Sequence, residues 1–262
     1  RKKSGSDSGT FLGIVLLCVA LLVAIGLAFA YYGAVNRPSI STTTLCPAEG
    51  PSGHLAMLVD TTDPVTLGQL QTARQIIEKR IAEADNFTRI SFSTVSPERD
   101  VRKSAFFSLC KPPAGKDASQ LTENPRMVQE RFSDDFERPL NIALNDLMGI
   151  GEASSSPIME ALQEFVSLIP DFNVTDAPRD VIIMTDLMQH SESFSFYRGG
   201  TWASFLDAEG PRRFGQNFDG ASIQVLRIPR RVEMAKTVDD FWVRYFDAQG
   251  FGRVNVRHIG DL

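Results

Sequence analysis

The sequence predicts a doubly wound α/β domain, with a mainly parallel six-stranded sheet and one antiparallel edge strand, preceded by a single transmembrane helix. Three observations carry that reading. Residues 11–32, FLGIVLLCVALLVAIGLAFAYY, contain no charged side chain. Two short apolar runs, HLAMLVD at 54–60 and RDVIIMTD at 179–186, have the composition of buried central strands. Segments of helical periodicity alternate with further strand-like runs around them, the pattern of a parallel sheet covered by helices on both faces.

The apolar run comes first. About 20 apolar residues in a helix cover the roughly 30 Å hydrocarbon layer of a bilayer, and a helix satisfies its own backbone there. Tyr31 and Tyr32 close the run, where amphipathic rings prefer the headgroup zone. The run exceeds the roughly 7–15 residues of a signal-peptide core, which argues for a retained anchor. Arg1, Lys2 and Lys3 precede it, and only Arg37 follows closely. The positive-inside bias then makes residues 1–10 a cytoplasmic tail and puts residues 33–262 on the far side, in the periplasm or outside a bacterial envelope. Residues 33–53, with Pro, Ser, Thr and Gly and little apolar periodicity, read as a stalk.

Residues 54–262 are long enough for one domain with a substantial core. After the strand at 54–60, a helix is expected over 66–84. Thr66 and Gln69 have capping-box spacing, and Leu67, Leu70, Ala73, Ile76, Ile77 and Ile81 share a face. Strands at 88–95 and 105–110 lie either side of a polar turn; so short a connection makes a hairpin, hence the antiparallel edge. Asn124-Pro125 opens a helix in cap-then-proline order, which Pro139 should kink or end. The pattern resumes through Leu140, Leu144 and Leu147. Ser156 reads as the N-cap of a helix over 157–169. The strand at 179–186 is followed by an irregular loop at 187–200, a short helix at 201–208 and a strand at 221–228. A helix over 237–249, with Thr237 and Asp240 as its capping box, and a strand at 253–259 complete the domain.

Composition excludes some functions. The formal net charge is −5, and no basic stripe exists of the kind nucleic acid requires. Of three cysteines, Cys18 lies in the span. Cys46 and Cys110 are an even pair in an exported domain and are expected to form a disulfide, against the alternative of two free buried thiols. Zinc is not expected: there is no CxxC, and His54, His190 and His258 are scattered.

In an open parallel sheet, ligands collect beyond the carboxyl ends of the strands. Two of the most apolar strands end on aspartate, Asp60 and Asp186, and Ser154-Ser155-Ser156 stands at a helix start. Carboxylates and hydroxyls are hard oxygen ligands suited to Mg²⁺, Mn²⁺ or Ca²⁺. With this order of elements, the chain from about 54 to 259 resembles a von Willebrand factor A domain, a Rossmann-like fold with a metal-ion-dependent adhesion site. That family's first loop has the form Asp-x-Ser-x-Ser; here it reads Asp60-Thr61-Thr62-Asp63-Pro64. Thr62 keeps a hydroxyl, whereas Pro64 has no side-chain oxygen. The family's middle-loop Thr is missing, with Ser155 or Ser156 in its place. The resemblance implies a degenerate site with Asp60, Thr62, Ser155 and Asp186 as metal ligands, Mg²⁺ being the first choice. The competing reading is that Asp60 and Asp186 only end their strands and cap the elements next in the chain. Asp63, Phe194, Phe196 and Tyr197 would form the surface facing a partner, unless the aromatic residues fold back onto the core.

The function expected from these residues is a membrane-anchored interaction module that binds other membrane or envelope proteins, with a divalent metal as a bridge. A haloacid-dehalogenase-like phosphatase is the alternative, but Thr62 stands where that family has a general acid, and no Lys lies between Lys116 and Lys236. No GxSxG, GxxxxGK[ST] or GxGxxG motif occurs, so catalysis is not expected. A third reading is a self-assembling structural component. Gly13, Ala20, Ala24 and Gly26 permit close helix contact in the span and hence a homo-oligomer.

Overall fold

The computed structural model describes residues 7–35, 39–119, 123–148, 151, 153–216, 218–229 and 235–260. The chain divides into two units, Arg1–Ile40 and Ser41–Leu262. In the first, helix α1 (Asp7–Val35) contains the segment Phe11–Phe29, with a mean hydropathy of 3.0. It is the one helix among the described residues with the length and composition of a membrane span. Over Phe11–Phe29 its side chains are apolar on every side, a composition that suits lipid rather than water. Arg1, Lys2, Lys3 and Arg37, on which the expected orientation rests, lie outside the described residues.

The second unit is built on a six-stranded sheet: β1 (Gly53–Asp60), β2 (Thr88–Val95), β3 (Phe107–Cys110), β4 (Arg179–Thr185), β5 (Ser222–Arg227) and β6 (Arg253–His258). Its order is β3-β2-β1-β4-β5-β6, and every neighbouring pair is parallel except β2 and β3. This is the doubly wound sheet with one antiparallel edge that the sequence predicts. The chain starts at β1, winds outwards one way to β3, and returns beside β1 as β4. The switch point therefore lies between β1 and β4.

Each face of the sheet carries its own core. Leu55, Met57 and Val59 of β1 pack with helix α2 (Leu67–Glu83) and with Phe132, Phe136, Leu140, Leu144 and Leu147. The alternate residues Ala56 and Leu58 pack with helix α6 (Ile158–Leu168), helix α9 (Ala235–Ala248) and the aromatic side chains of residues 194–251. Two short helices, α7 (Trp202–Asp207) and α8 (Gly210–Arg213), lie within that aromatic segment. Thr66 caps α2 with the expected box: Gln69 N–H donates to Thr66 Oγ1 at 3.2 Å, and Thr66 N–H to Gln69 Oε1 at 3.0 Å.

Four local expectations change. The turn between β2 and β3 contains a short helix, α3 (Arg99–Ser104). It is held by tertiary contact, since Arg102 Nε pairs with Glu164 Oε2 at 2.6 Å. Pro139 does not end its helix. Helix α4 (Pro125–Arg131) passes through a π turn, Phe132–Glu137, directly into α5 (Arg138–Met148). The widened turn accommodates the proline, which brings no N–H and crowds the preceding turn. Helix α9 is already formed at Ala235, so Thr237 lies inside it and does not cap it. Ser156 does not cap α6, because its hydroxyl is bonded to Asp60 instead.

The Cys46–Cys110 disulfide forms, with the two Cα atoms 4.9 Å apart. Cys110 N–H also donates to Thr44 O at 2.8 Å. The expected stalk is thus pinned at Thr44–Cys46 to the last residue of β3.

Candidate functional site at the carboxyl ends of β1 and β4

Register brings the site together. Val59 is level with Met184 in the parallel β1–β4 pair, so Asp60 comes level with Thr185 and beside Asp186. Asp60 is 4% exposed and Thr185 fully buried. A buried carboxylate is costly unless hydrogen bonds compensate it, and here both oxygens are supplied. Oδ1 accepts from Thr62 N–H at 3.1 Å and Thr62 Oγ1 at 2.6 Å. Oδ2 accepts from Thr185 Oγ1 at 2.8 Å and Ser156 Oγ at 3.1 Å. Three hydroxyls, from the loop after β1, the end of β4 and the segment before α6, therefore converge on one carboxylate.

The loops are tied to one another by backbone bonds. Ala153 N–H donates to Thr62 O at 2.9 Å, and His190 N–H to Ser156 O at 2.8 Å. Thr185 Oγ1 also accepts from Leu187 N–H at 2.9 Å. This fixes Leu187 at φ 64°, a left-handed conformation that costs a non-glycine residue about 1–2 kcal/mol. Trp242 Nε1 donates to Leu187 O at 2.8 Å and holds the same residue from the core side. Asp186 Oδ1 accepts from Met188 N–H at 2.8 Å. The strand-end turn is thus braced on both sides of Asp186.

The two candidate serines of the middle loop differ in their contacts. Ser156 is buried and reaches Asp60, whereas Ser155 is half-buried and makes no such bond. With the Ser156 hydroxyl committed to Asp60, Gln189 takes over at the start of α6, accepting from Met159 N–H at 2.9 Å. Thr185 joins the site although, of the strand-end pair Thr185-Asp186, the sequence singles out only Asp186 as a ligand. Its signal is positional: it precedes the strand-end aspartate, and only the register shows that it faces Asp60.

A cleft of 220 Å³ lies at this end of the sheet, lined by Thr62, Asp63, Ala153 to Ser156, Met188, His190 and Tyr197. Of the aromatic residues expected at a contact surface, Tyr197 alone is exposed, at 57%. Phe194 and Phe196 are buried; Phe194 stacks on Phe241 and Phe196 meets it edge-on. They belong to the core because a five-aromatic cluster with Trp202 and Phe205 covers this sheet face. His190 also lines the cleft, its Nδ1 bonded to Ser195 Oγ at 2.7 Å and its ring edge-on to Tyr197.

The Asp60 carboxyl is pushed up to about 6, first by burial and then by the neighbouring charge of Asp186; the hydrogen bonds from Thr62 and Thr185 pull it back only in part. A site that disfavours its own negative charge favours a cation or a proton. The donor set is compatible with a hard cation. When Thr62 and Ser156 give their protons to Asp60, their lone pairs stay available for a metal, and Mg²⁺ usually keeps several waters besides. No cluster of three or more His, Cys, Asp or Glu side chains occurs among the described residues. Any cation here would rest on hydroxyls and water, with the two carboxylates behind them balancing its charge.

No protein-family model matches the chain. No curated protein matches it either. Among solved structures, it is similar to an aerotolerance-related membrane protein from Bacteroides fragilis NCTC 9343 carrying multiple mutations to serines. The identity is 13%, over 78% of this chain and 92% of that one, with a TM-score of 0.36. At this level the likeness adds nothing to the site, and the fold rests on the strand order β3-β2-β1-β4-β5-β6.

Proposed function

We propose that this chain is a single-pass, membrane-anchored module. Its outer α/β domain, similar to von Willebrand factor A domains, binds envelope proteins at the Asp60 cleft. In this reading the anchor runs from cytoplasm to periplasm, and a Mg²⁺ ion held by Thr62 and Ser156 hydroxyls, with Asp60 and Asp186 behind them, leaves part of its shell to a partner. The observation that carries the reading is the buried Asp60 carboxylate gathering three hydroxyls beside an open cleft. Binding rather than chemistry follows, because all of its acceptor positions are engaged and the group is not presented as a nucleophile.

The test uses the full chain in mild detergent. A millimolar site should gain about 1.4 kcal/mol of stability at a tenfold excess of Mg²⁺, read as a higher Tm. Asp186→Asn should abolish that gain and release co-purifying envelope proteins while the fold is kept. Equal Mg²⁺ stabilisation of wild type and variant removes the metal from this site. Unchanged partner recovery removes the cleft from binding.

A further inference from the structure

The two edges of the sheet are finished differently. At β3 the last residue is pinned: Cys110 N–H bonds to Thr44 O, and the disulfide clamps that segment in place. At β6 no described residue pairs with the outer edge. All six residues from Arg253 to His258 are exposed. An open strand edge presents unpaired backbone N–H and C=O groups and is a template for another strand.

We propose that β6 docks an extended acidic segment of a partner protein as a seventh strand. Its side chains specify that occupant. Val254 and Val256 are level with Ile223 and Val225 of β5. Those two β5 residues are buried, so the valines, 39% and 48% exposed, prolong an apolar face beyond the core. Arg253, Asn255 and Arg257 occupy the opposite face by strand alternation. A matching strand therefore alternates apolar residues against the valines with carboxylates against the arginines. A second copy of β6 offers neither arginine a carboxylate in any two-fold register. Antiparallel pairing through Asn255 sets Arg253 opposite Arg257 twice, and like charges directly opposite are destabilising; pairing through Val254 or Val256 sets an arginine opposite Asn255. This surface is separate from the Asp60 cleft and does not depend on its function.

The experiment measures binding of capped seven-residue peptides to the full chain in detergent. The glutamate–valine alternating peptide should bind and its lysine–valine counterpart should not. Methylating the glutamate peptide's backbone nitrogens along one edge should abolish binding. The Arg253→Glu, Arg257→Glu double variant should bind the glutamate peptide about tenfold more weakly and bind the lysine peptide instead. Arg253→Gln, Arg257→Gln should fall between. The proposal is overturned if the glutamate peptide does not bind, if the double variant binds it unchanged, or if the unmodified chain forms a dimer that the double variant breaks.

Discussion

The two ends of β1 bury opposite titratable groups, His54 and Asp60, and treat them differently. Six residues separate them, so both side chains lie on the same face of the sheet, about 20 Å apart along the strand. At the carboxyl end, Asp60 is met by four hydrogen-bond donors. At the amino end, His54 is 3% exposed, and neither ring nitrogen has a partner among the described residues. Arg89 on β2 and Arg179 on β4 are level with it, and its ring lies edge-on to Phe172. Burial moves both groups away from their charged forms. His54 falls to about 4, chiefly by burial and then by Arg89, with Asp171 opposing. The difference lies in provision: the Asp60 end is equipped to hold a charge, and the His54 end only excludes one. Polar equipment assembled at one end of the strand is what the proposed binding role rests on.

The largest expected effect comes from removing the histidine. Above pH 6.5 both folded and unfolded His54 are neutral. Between about 6.5 and 4 the unfolded state takes a proton that the folded state refuses, so His54 costs stability as pH falls, by about 3 kcal/mol at the lower limit. Asp60 has the opposite sign. Its folded form takes a proton between about 6 and 4 while the unfolded carboxylate stays ionised, so its contribution grows as pH falls. In the unmodified chain these two slopes oppose each other. His54→Leu should gain stability relative to wild type on going from pH 7 to pH 4, by about 3 kcal/mol, as measured by urea unfolding. A difference that stays flat across that range would mean that water or a rearranged loop supplies His54 with partners.

Asp60→Asn tests the other end. With the ionised carboxylate gone, the variant should be about 2 kcal/mol more stable than wild type at pH 7.5, and the advantage should disappear by pH 4. It should also lose any response to Mg²⁺. Stability gained where binding is lost is the usual sign of a site kept strained for function. At this separation the two substitutions should add within about 0.5 kcal/mol. Destabilisation by Asp60→Asn at neutral pH would instead make the carboxylate a structural hub for the three segments.

Much of this comparison is legible in the sequence, and the missing parts share a cause. The strands at 54–60 and 179–186, the Thr66–Gln69 cap and the antiparallel edge follow from local pattern, because buried strands and capped helices select residue types at fixed spacing. Arg99–Ser104 escapes notice because RDVRKS has one apolar residue and no periodicity; its helix depends on Glu164, sixty residues away. Phe194 and Phe196 look like surface aromatics in a loop and turn inward because the sheet face opposite them needs covering. Thr185 and the unpartnered state of His54 depend on strand register, which no single segment encodes.

Ser155 and Ser156 show the same limit at its smallest scale, and give the finest test of the comparison. They are adjacent and chemically identical, and both precede α6. The bridge from His190 N–H to Ser156 O holds the second of them where its hydroxyl reaches Asp60. Ser156→Ala removes one of two donors to Oδ2 and leaves a buried acceptor less well served. It should cost about 1 kcal/mol at pH 7.5 and raise the Asp60 carboxyl further, so that the cost shrinks as the group is protonated near pH 4. Ser155→Ala should stay within about 0.5 kcal/mol of wild type at both pH values. Equal effects from the two alanines would mean that the loop exchanges its serines, and the carboxyl end of β1 would then be no more sharply organised than the end that holds His54.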